Sequence, residues 1–136
     1  MKRLAFFLFL MVSISGCGGG GRDNDDVTII LRGILTQGTT QGGQGNPATS
    51  GEVAITELNK SDTVESSSLG AYSISGVPVG GNYTVRVTDT NSPTVNVTCE
   101  ISIPDSTTLT VTSQSGGTCV AGSANIGELA LNITIE

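Results

Sequence analysis

The sequence predicts an all-β protein: a single seven- to eight-stranded antiparallel β-sandwich that follows a removable N-terminal segment. Three observations carry this reading. Apolar residues recur with a period of two in three long runs: Tyr83, Val85, Val87; Val95, Val97, Cys99, Ile101, Ile103; and Leu129, Leu131, Ile133, Ile135. Polar residues occupy the alternate positions, which gives each run one dry and one wet face. Thr and Val are abundant, good helix formers are scarce, and turn-forming clusters separate the runs at short intervals.

The elements follow in chain order. Met1-Lys2-Arg3 is basic, Leu4 to Val12 is apolar, and Ser13-Ile14-Ser15-Gly16 brings small residues up to Cys17. This is the tripartite layout of a secretory signal. The apolar run falls short of the roughly 20 residues of a transmembrane helix. As a buried helix it would present Phe and Leu on every side and run straight into a glycine tract.

Ile14-Ser15-Gly16-Cys17 resembles the bacterial lipobox. The resemblance implies cleavage before Cys17, a lipid on the Cys17 sulfur and fatty acylation, palmitate included, of the new amino terminus. Each buried methylene contributes about 0.8 kcal/mol, so two or three chains anchor firmly where one does not. In lipoproteins of Gram-negative cells an Asp after the cysteine tends to retain the protein in the inner membrane. Gly18 stands there, so the resemblance implies the outer membrane, facing either the periplasm or the surface.

Residues 1–16 are thus the expected signal peptide, 17–26 the lipidated cysteine with its tether, and 27–136 the sandwich. Removing the signal leaves 120 of 136 residues, enough for one small domain. Lys2 and Arg3 leave with it, so four basic residues face twelve acidic ones. Phe6, Phe7 and Phe9 leave too, and Tyr72 and Tyr83 remain as the aromatic residues. Nucleic acid is excluded as a partner on this count, because phosphate neutralisation and base stacking are both undersupplied. The chain has no His, which removes the usual general base and the commonest transition-metal ligand. No cofactor is implied.

Gly18 to Gly21 and Arg22-Asp23-Asn24-Asp25-Asp26 read as a flexible, solvated tether. The acidic cluster lacks the glycine and distal Glu of a calcium loop, so no metal site is expected. Val27 to Leu35 is apolar on both faces, as a central strand would be. Gly51 to Leu58, Ala71 to Ser75 and Thr107 to Thr112 are shorter strands, the last two burying Tyr72, Ile74, Leu109 and Val111. Asn59-Lys60-Ser61-Asp62, Val77 to Asn82 and Pro104-Asp105-Ser106 supply turns. Thr36 to Ser50 is a long polar Gly/Gln/Thr loop, a length that marks a mobile or functional segment.

Such a core lacks Phe and Trp, so a crosslink would help. With Cys17 lipidated, Cys99 and Cys119 remain, and an oxidising compartment permits a disulfide between them. Two free thiols, with Cys99 packed as a small core residue, are the alternative.

The stretch Gly70-Ala71-Tyr72-Ser73-Ile74-Ser75-Gly76-Val77-Pro78-Val79-Gly80-Gly81-Asn82-Tyr83-Thr84-Val85-Arg86-Val87 resembles the carboxypeptidase regulatory-like domains, which are transthyretin-like (prealbumin-like) sandwiches. A Gly, an aromatic, an apolar alternation, "gly-val-pro-x-gly" and "tyr-thr-val" carry the likeness, and Pro47 to Ile55 matches the family's entry into its second strand. Tyr72 and Tyr83 would anchor two antiparallel strands joined through Pro78 and Gly80. The likeness covers Val27 to Thr88 and fades from Asp89 on. Ser66-Ser67-Ser68-Leu69-Gly70 replaces the family's usual Asp-x-x-Gly turn. The resemblance implies the fold alone, since fold does not fix function.

The family includes a purine-pathway hydrolase, but its chemistry needs His. Lys60, the one lysine after the signal, lies in a polar turn where its amine stays protonated and is a weak base. The carboxylate pairs Glu52/Glu57 and Asp62/Glu65 read as solvated surface charge. A Lys–Asn isopeptide bond has Asn132 on the last strand, but Arg32 stands on the first. The expected function is therefore non-catalytic: a membrane-anchored lipoprotein whose sandwich binds or scaffolds in the cell envelope. Its contacts would be the Thr36–Ser50 loop, the Gly76–Asn82 turn or an open strand edge, offered to a protein or glycan. A plain spacer, a small-ligand carrier of transthyretin type and an envelope hydrolase are the other readings.

Overall fold

The computed structural model of the chain describes residues 27–38, 45–90 and 96–136. The expected signal peptide, Cys17 and the tether lie outside the described residues, as does the middle of the Thr36–Ser50 loop. The described residues form two sheets packed face to face. In chain order the strands are β1 (Thr28–Gln37), β2 (Asn46–Pro47), β3 (Ser50–Ile55), β4 (Lys60–Glu65), β5 (Ala71–Pro78), β6 (Gly81–Thr88), β7 (Asn96–Asp105), β8 (Thr108–Ser115), β9 (Gly117–Ala121) and β10 (Glu128–Ile135). Single 3-10 turns at Thr56–Leu58 and Ser66–Ser68 flank β4.

In the first sheet β1 lies beside β10, which is followed by β9; on its other side β1 pairs with β5 and then briefly with β2. The second sheet runs β4-β3-β6-β7-β8. The core lies between them. Ile29, Leu31 and Leu35 of β1 and Leu129, Leu131, Ile133 and Ile135 of β10 face Val53, Ile55, Val85, Val87, Val97, Cys99, Ile101 and Ile103 from the second sheet. Val95 lies outside the described residues; at their other positions the alternating runs bury the faces that their period predicts.

Two expectations are corrected. Among the described residues the sandwich has ten strands, not seven or eight, and it is not wholly antiparallel, because β1 and β10 pair in parallel. The extra strands are β2, β4 and β9. β2 is two residues long, and β4 carries Val64 as its one apolar residue. β9 is only five residues, with Cys119 as its buried position. None has enough alternating apolar residues to register as a period. Of the expected turn Asn59–Asp62, only Asn59 is a turn residue, in the left-handed region at φ 50°, and Lys60 already starts β4. A further difference concerns the two tyrosine strands: β5 and β6 belong to different sheets, so the Pro78–Gly80 connection crosses the sandwich instead of closing a hairpin.

Tyr72 explains how β1 joins its neighbours. It sits opposite Gly33 of β1, which shares the inward parity of Ile29, Leu31 and Leu35. Lacking a side chain, Gly33 lets the Tyr72 ring lie across β1, and its hydroxyl donates to the Leu131 carbonyl on β10. A Cβ at position 33 would run into that carbonyl and come within 2.9 Å of the Tyr72 hydroxyl. Tyr83 works locally, its hydroxyl donating to the Pro78 carbonyl at 2.7 Å.

Both seams between the sheets are closed by side chains. At one, β4 abuts β5: Asp62 accepts the Ser73 N–H at 2.7 Å and Lys60 donates to the Ser75 carbonyl at 3.0 Å. At the other, β8 abuts β9: Gln114 accepts the Cys119 N–H at 2.8 Å, and the Cys99–Cys119 disulfide joins β7 to β9 across the core, with the Cα atoms 6.2 Å apart. The backbone groups that β5 and β9 would offer an incoming strand are in these places already bonded.

Candidate functional site

Strand direction sorts the connections between two ends. β1 starts at Thr28, opposite Pro78, and finishes at Gln37, opposite Asn46. The starting end, where the N-terminal segment enters, gathers Val27, the 3-10 turn at Thr56–Leu58, the 78–81 connection, the 105–108 turn and residues 122–127. Its hydrogen bonds run from Val79 N to Val27 O, from Ile30 N to Gly127 O and from Gly127 N to Ser106 O. The far end gathers Gln37 and Gly38, Gly45 to Ser50, Ser66 to Gly70, Asp89 and Thr90, Gly116 and the carboxyl terminus. Gly38, Gly45, Thr90 and Asn96, the described residues on either side of 39–44 and 91–95, belong to it.

The two expected contact regions therefore lie at opposite ends. The described ends of the Thr36–Ser50 loop belong to the far end and the Gly76–Asn82 turn to the near one. The far end is the candidate site, because it holds the buried carboxylate of Asp89 among the described residues.

Its rim is built on Asp89. This is the only acidic or basic side chain buried among the described residues, at 4% exposure. A buried carboxylate is costly without hydrogen bonds. Gln37 Nε2 donates to it at 2.8 Å and Ser50 Oγ at 3.1 Å. The carboxylate thereby ties together the end of β1, the start of β3 and the chain leaving β6, beside the roots of both segments. Thr36 and Thr134 hydroxyls meet at 2.9 Å on the neighbouring strands, and Ala48 N–H donates to Leu35 O. The rim next to β3 and β4 is set by Glu65 and Ser68, which cap each other's backbone around the second 3-10 turn.

Sequence reasoning passed over Asp89, Gln37 and Ser50. The signal was present for Asp89: it continues the inward parity of Tyr83, Val85 and Val87. The same parity rule places Lys60 and Asp62 with Val64, toward the neighbouring sheet. Gln114, the other seam-closing residue, had no such signal, because β8 is mostly exposed.

The remaining candidates are dispersed. Cys99 and Cys119 are bonded to each other. Lys60 belongs to the second sheet and Asn132 to the first, where Asn132 Oδ1 accepts the Ile34 N–H at 3.1 Å. Glu57 accepts the Thr84 N–H at 2.9 Å on both oxygens. Partial burial pushes its carboxyl up, but the side-chain and backbone hydrogen bonds with Thr84 outweigh this and hold it below the ordinary value. Burial pushes the Tyr72 hydroxyl far up; burial and then the charge of Glu57 raise Tyr83. Arg32 pairs with Glu128 at 2.9 Å on the outer face of the first sheet. On the outer face of the second sheet, a groove of about 330 Å³ is lined by Glu52, Ala54, Asn59, Lys60, Ser61 and Arg86, among others. Ala54 forms its floor because its cross-strand neighbours Ser61 and Arg86 flank a side chain of one carbon. Among the described residues no three His, Cys, Asp or Glu side chains gather in one place.

No family model matches the chain, and no curated protein matches it. Among solved structures, a lectin of Xerocomus chrysenteron is similar over 79% of this chain and 97% of its own, at 10% identity and a TM-score of 0.38.

Proposed function

We propose that this protein is a lipid-anchored, non-catalytic module of the cell envelope, held by acyl chains on Cys17 and presenting the far end of its sandwich to a partner. The outer membrane is the membrane we assign. The sandwich is of the carboxypeptidase regulatory-like kind in this reading, and the partner is an envelope protein or a glycan. The observation that carries the proposal is the pairing of Cys99 with Cys119 across the two sheets. It accounts for both cysteines of the domain, leaves Cys17 alone behind a signal-like segment, and suits an oxidising compartment. Strand addition is a weaker mode than the rim, because Asp62, Lys60 and Gln114 occupy the edges of β5 and β9.

Cys17→Ser, expressed in a bacterium with a complete lipoprotein pathway, is expected to leave the membrane fraction and to lose palmitate labelling. Unchanged maturation and fractionation would overturn the anchor. The soluble domain, used to capture envelope components, is expected to retain a partner that is lost when segments 39–44 and 91–95 are replaced by Gly/Ser of equal length. Capture that survives both replacements would remove the far end from the account.

A further inference from the structure

Two large aliphatic side chains stand exposed at the near end of the sandwich, among polar turn residues. Ile126 is 86% exposed and Val27 is 53% exposed, and both belong to this end. Ile126 precedes Gly127, whose carbonyl accepts from Ile30 and whose N–H donates to Ser106, so the tip is fixed to β1 and to the 105–108 turn. Val27 is fixed through its carbonyl to Val79 N–H, and Val79 itself is partly buried. Large aliphatic side chains held at an exposed tip gain nothing from water.

The length of chain ahead of Val27 says what meets them. Nine residues, 18–26, separate Cys17 from Val27, and no chain of that length spans more than about 30–35 Å. With lipid on Cys17, the near end stays within that reach of the bilayer, closer to it than the far end on average. Charge then decides which bilayer. Asp105, Glu57 and Glu128 sit at this end against Lys60 and the Arg32 that pairs with Glu128, so the end carries net negative charge and an anionic surface would be repelled.

We propose that the near end rests on a zwitterionic lipid surface, with Ile126 entering the interfacial layer beside Val27. This rests on the anchor at Cys17. It turns a tethered body into an oriented one, and the far end points away from the membrane as a consequence.

The chain contains no Trp, which makes the test direct. Ile126→Trp and, separately, Leu69→Trp at the far end (70% exposed) each introduce a sole Trp. The lipidated full-length proteins are reconstituted into phosphatidylcholine/phosphatidylethanolamine vesicles and floated. Trp favours interfaces wherever it is placed, so the two positions differ only in where the fold puts them. The Trp of Ile126→Trp is expected to shift to shorter wavelength and to lose most of its emission to brominated acyl chains, while that of Leu69→Trp does neither. Flotation with both emissions unquenched, or both quenched equally, overturns the docking while the anchor stands. Failure of either protein to float with the vesicles overturns the anchor, and the docking with it.

Discussion

Tyr72 and Gly33 form one unit at the scale of single residues. The ring covers the bare glycine, and the hydroxyl reaches the strand beyond it. Tyr72→Phe keeps the ring and leaves the Leu131 carbonyl short of a donor, at a cost of about 1–2 kcal/mol. Gly33→Ala drives a methyl group into that carbonyl and is expected to cost more than Tyr72→Phe. Urea unfolding of the parent and the two variants measures the order, and a Gly33→Ala protein as stable as the parent would contradict the packing described. Asp89 holds the rim in the same way. Asp89→Ala removes a charged acceptor from Gln37 and Ser50 and is expected to lower stability by about 2 kcal/mol. It also loosens the roots of both far-end segments, so hydrogen exchange there should rise more than in β7 or β10.

The elements were legible in proportion to their apolar alternation. β6, β7 and β10 carry unbroken periods, and the structure buries the expected faces. β1 reads as central because Ile29, Leu31 and Leu35 face the core, while Ile30 and Ile34 lie on a face between two neighbouring strands. β4 and β9 went unread because they are held less by apolar burial than by position at a seam, where Asp62, Lys60 and Gln114 close the backbone. A period also cannot show direction, so the parallel pairing of β1 with β10 was beyond the sequence. The disulfide was legible by cysteine arithmetic, but its role in joining the sheets was not. Its loop of 20 residues contributes about 3 kcal/mol in the chain-entropy view. Cys99→Ala/Cys119→Ala is expected to unfold at correspondingly lower urea. Asp62→Ala bares the Ser73 N–H on β5 and is expected to raise light scattering on storage through edge-to-edge association. Scattering equal to the parent's would show that the seam needs no such guard.

The whole molecule divides into a near end, where the chain enters β1, and a far end, and its titratable groups set the pH range in which it holds. Hydrogen bonds from Thr107 and Thr108 hold the Asp105 carboxyl below its ordinary value, and Glu57 is lowered as well. Protons therefore bind the unfolded chain first, and stability declines as pH falls from about 4 through the lower folded values. Tyr72 and Tyr83 are raised, so the unfolded chain loses its protons first and stability also declines above about pH 10. Denaturation midpoints across that range should form a plateau with two falling sides.

The central proposal is the lipid anchor on Cys17. The intact mass of the protein extracted from membranes tests that most directly. The account predicts a chain that begins at Cys17, carries the added mass of a diacylglyceryl group and an amide-linked fatty acid, and holds Cys99 and Cys119 oxidised. A chain that still begins at Met1, or one that is cut elsewhere and bears no lipid, would contradict it.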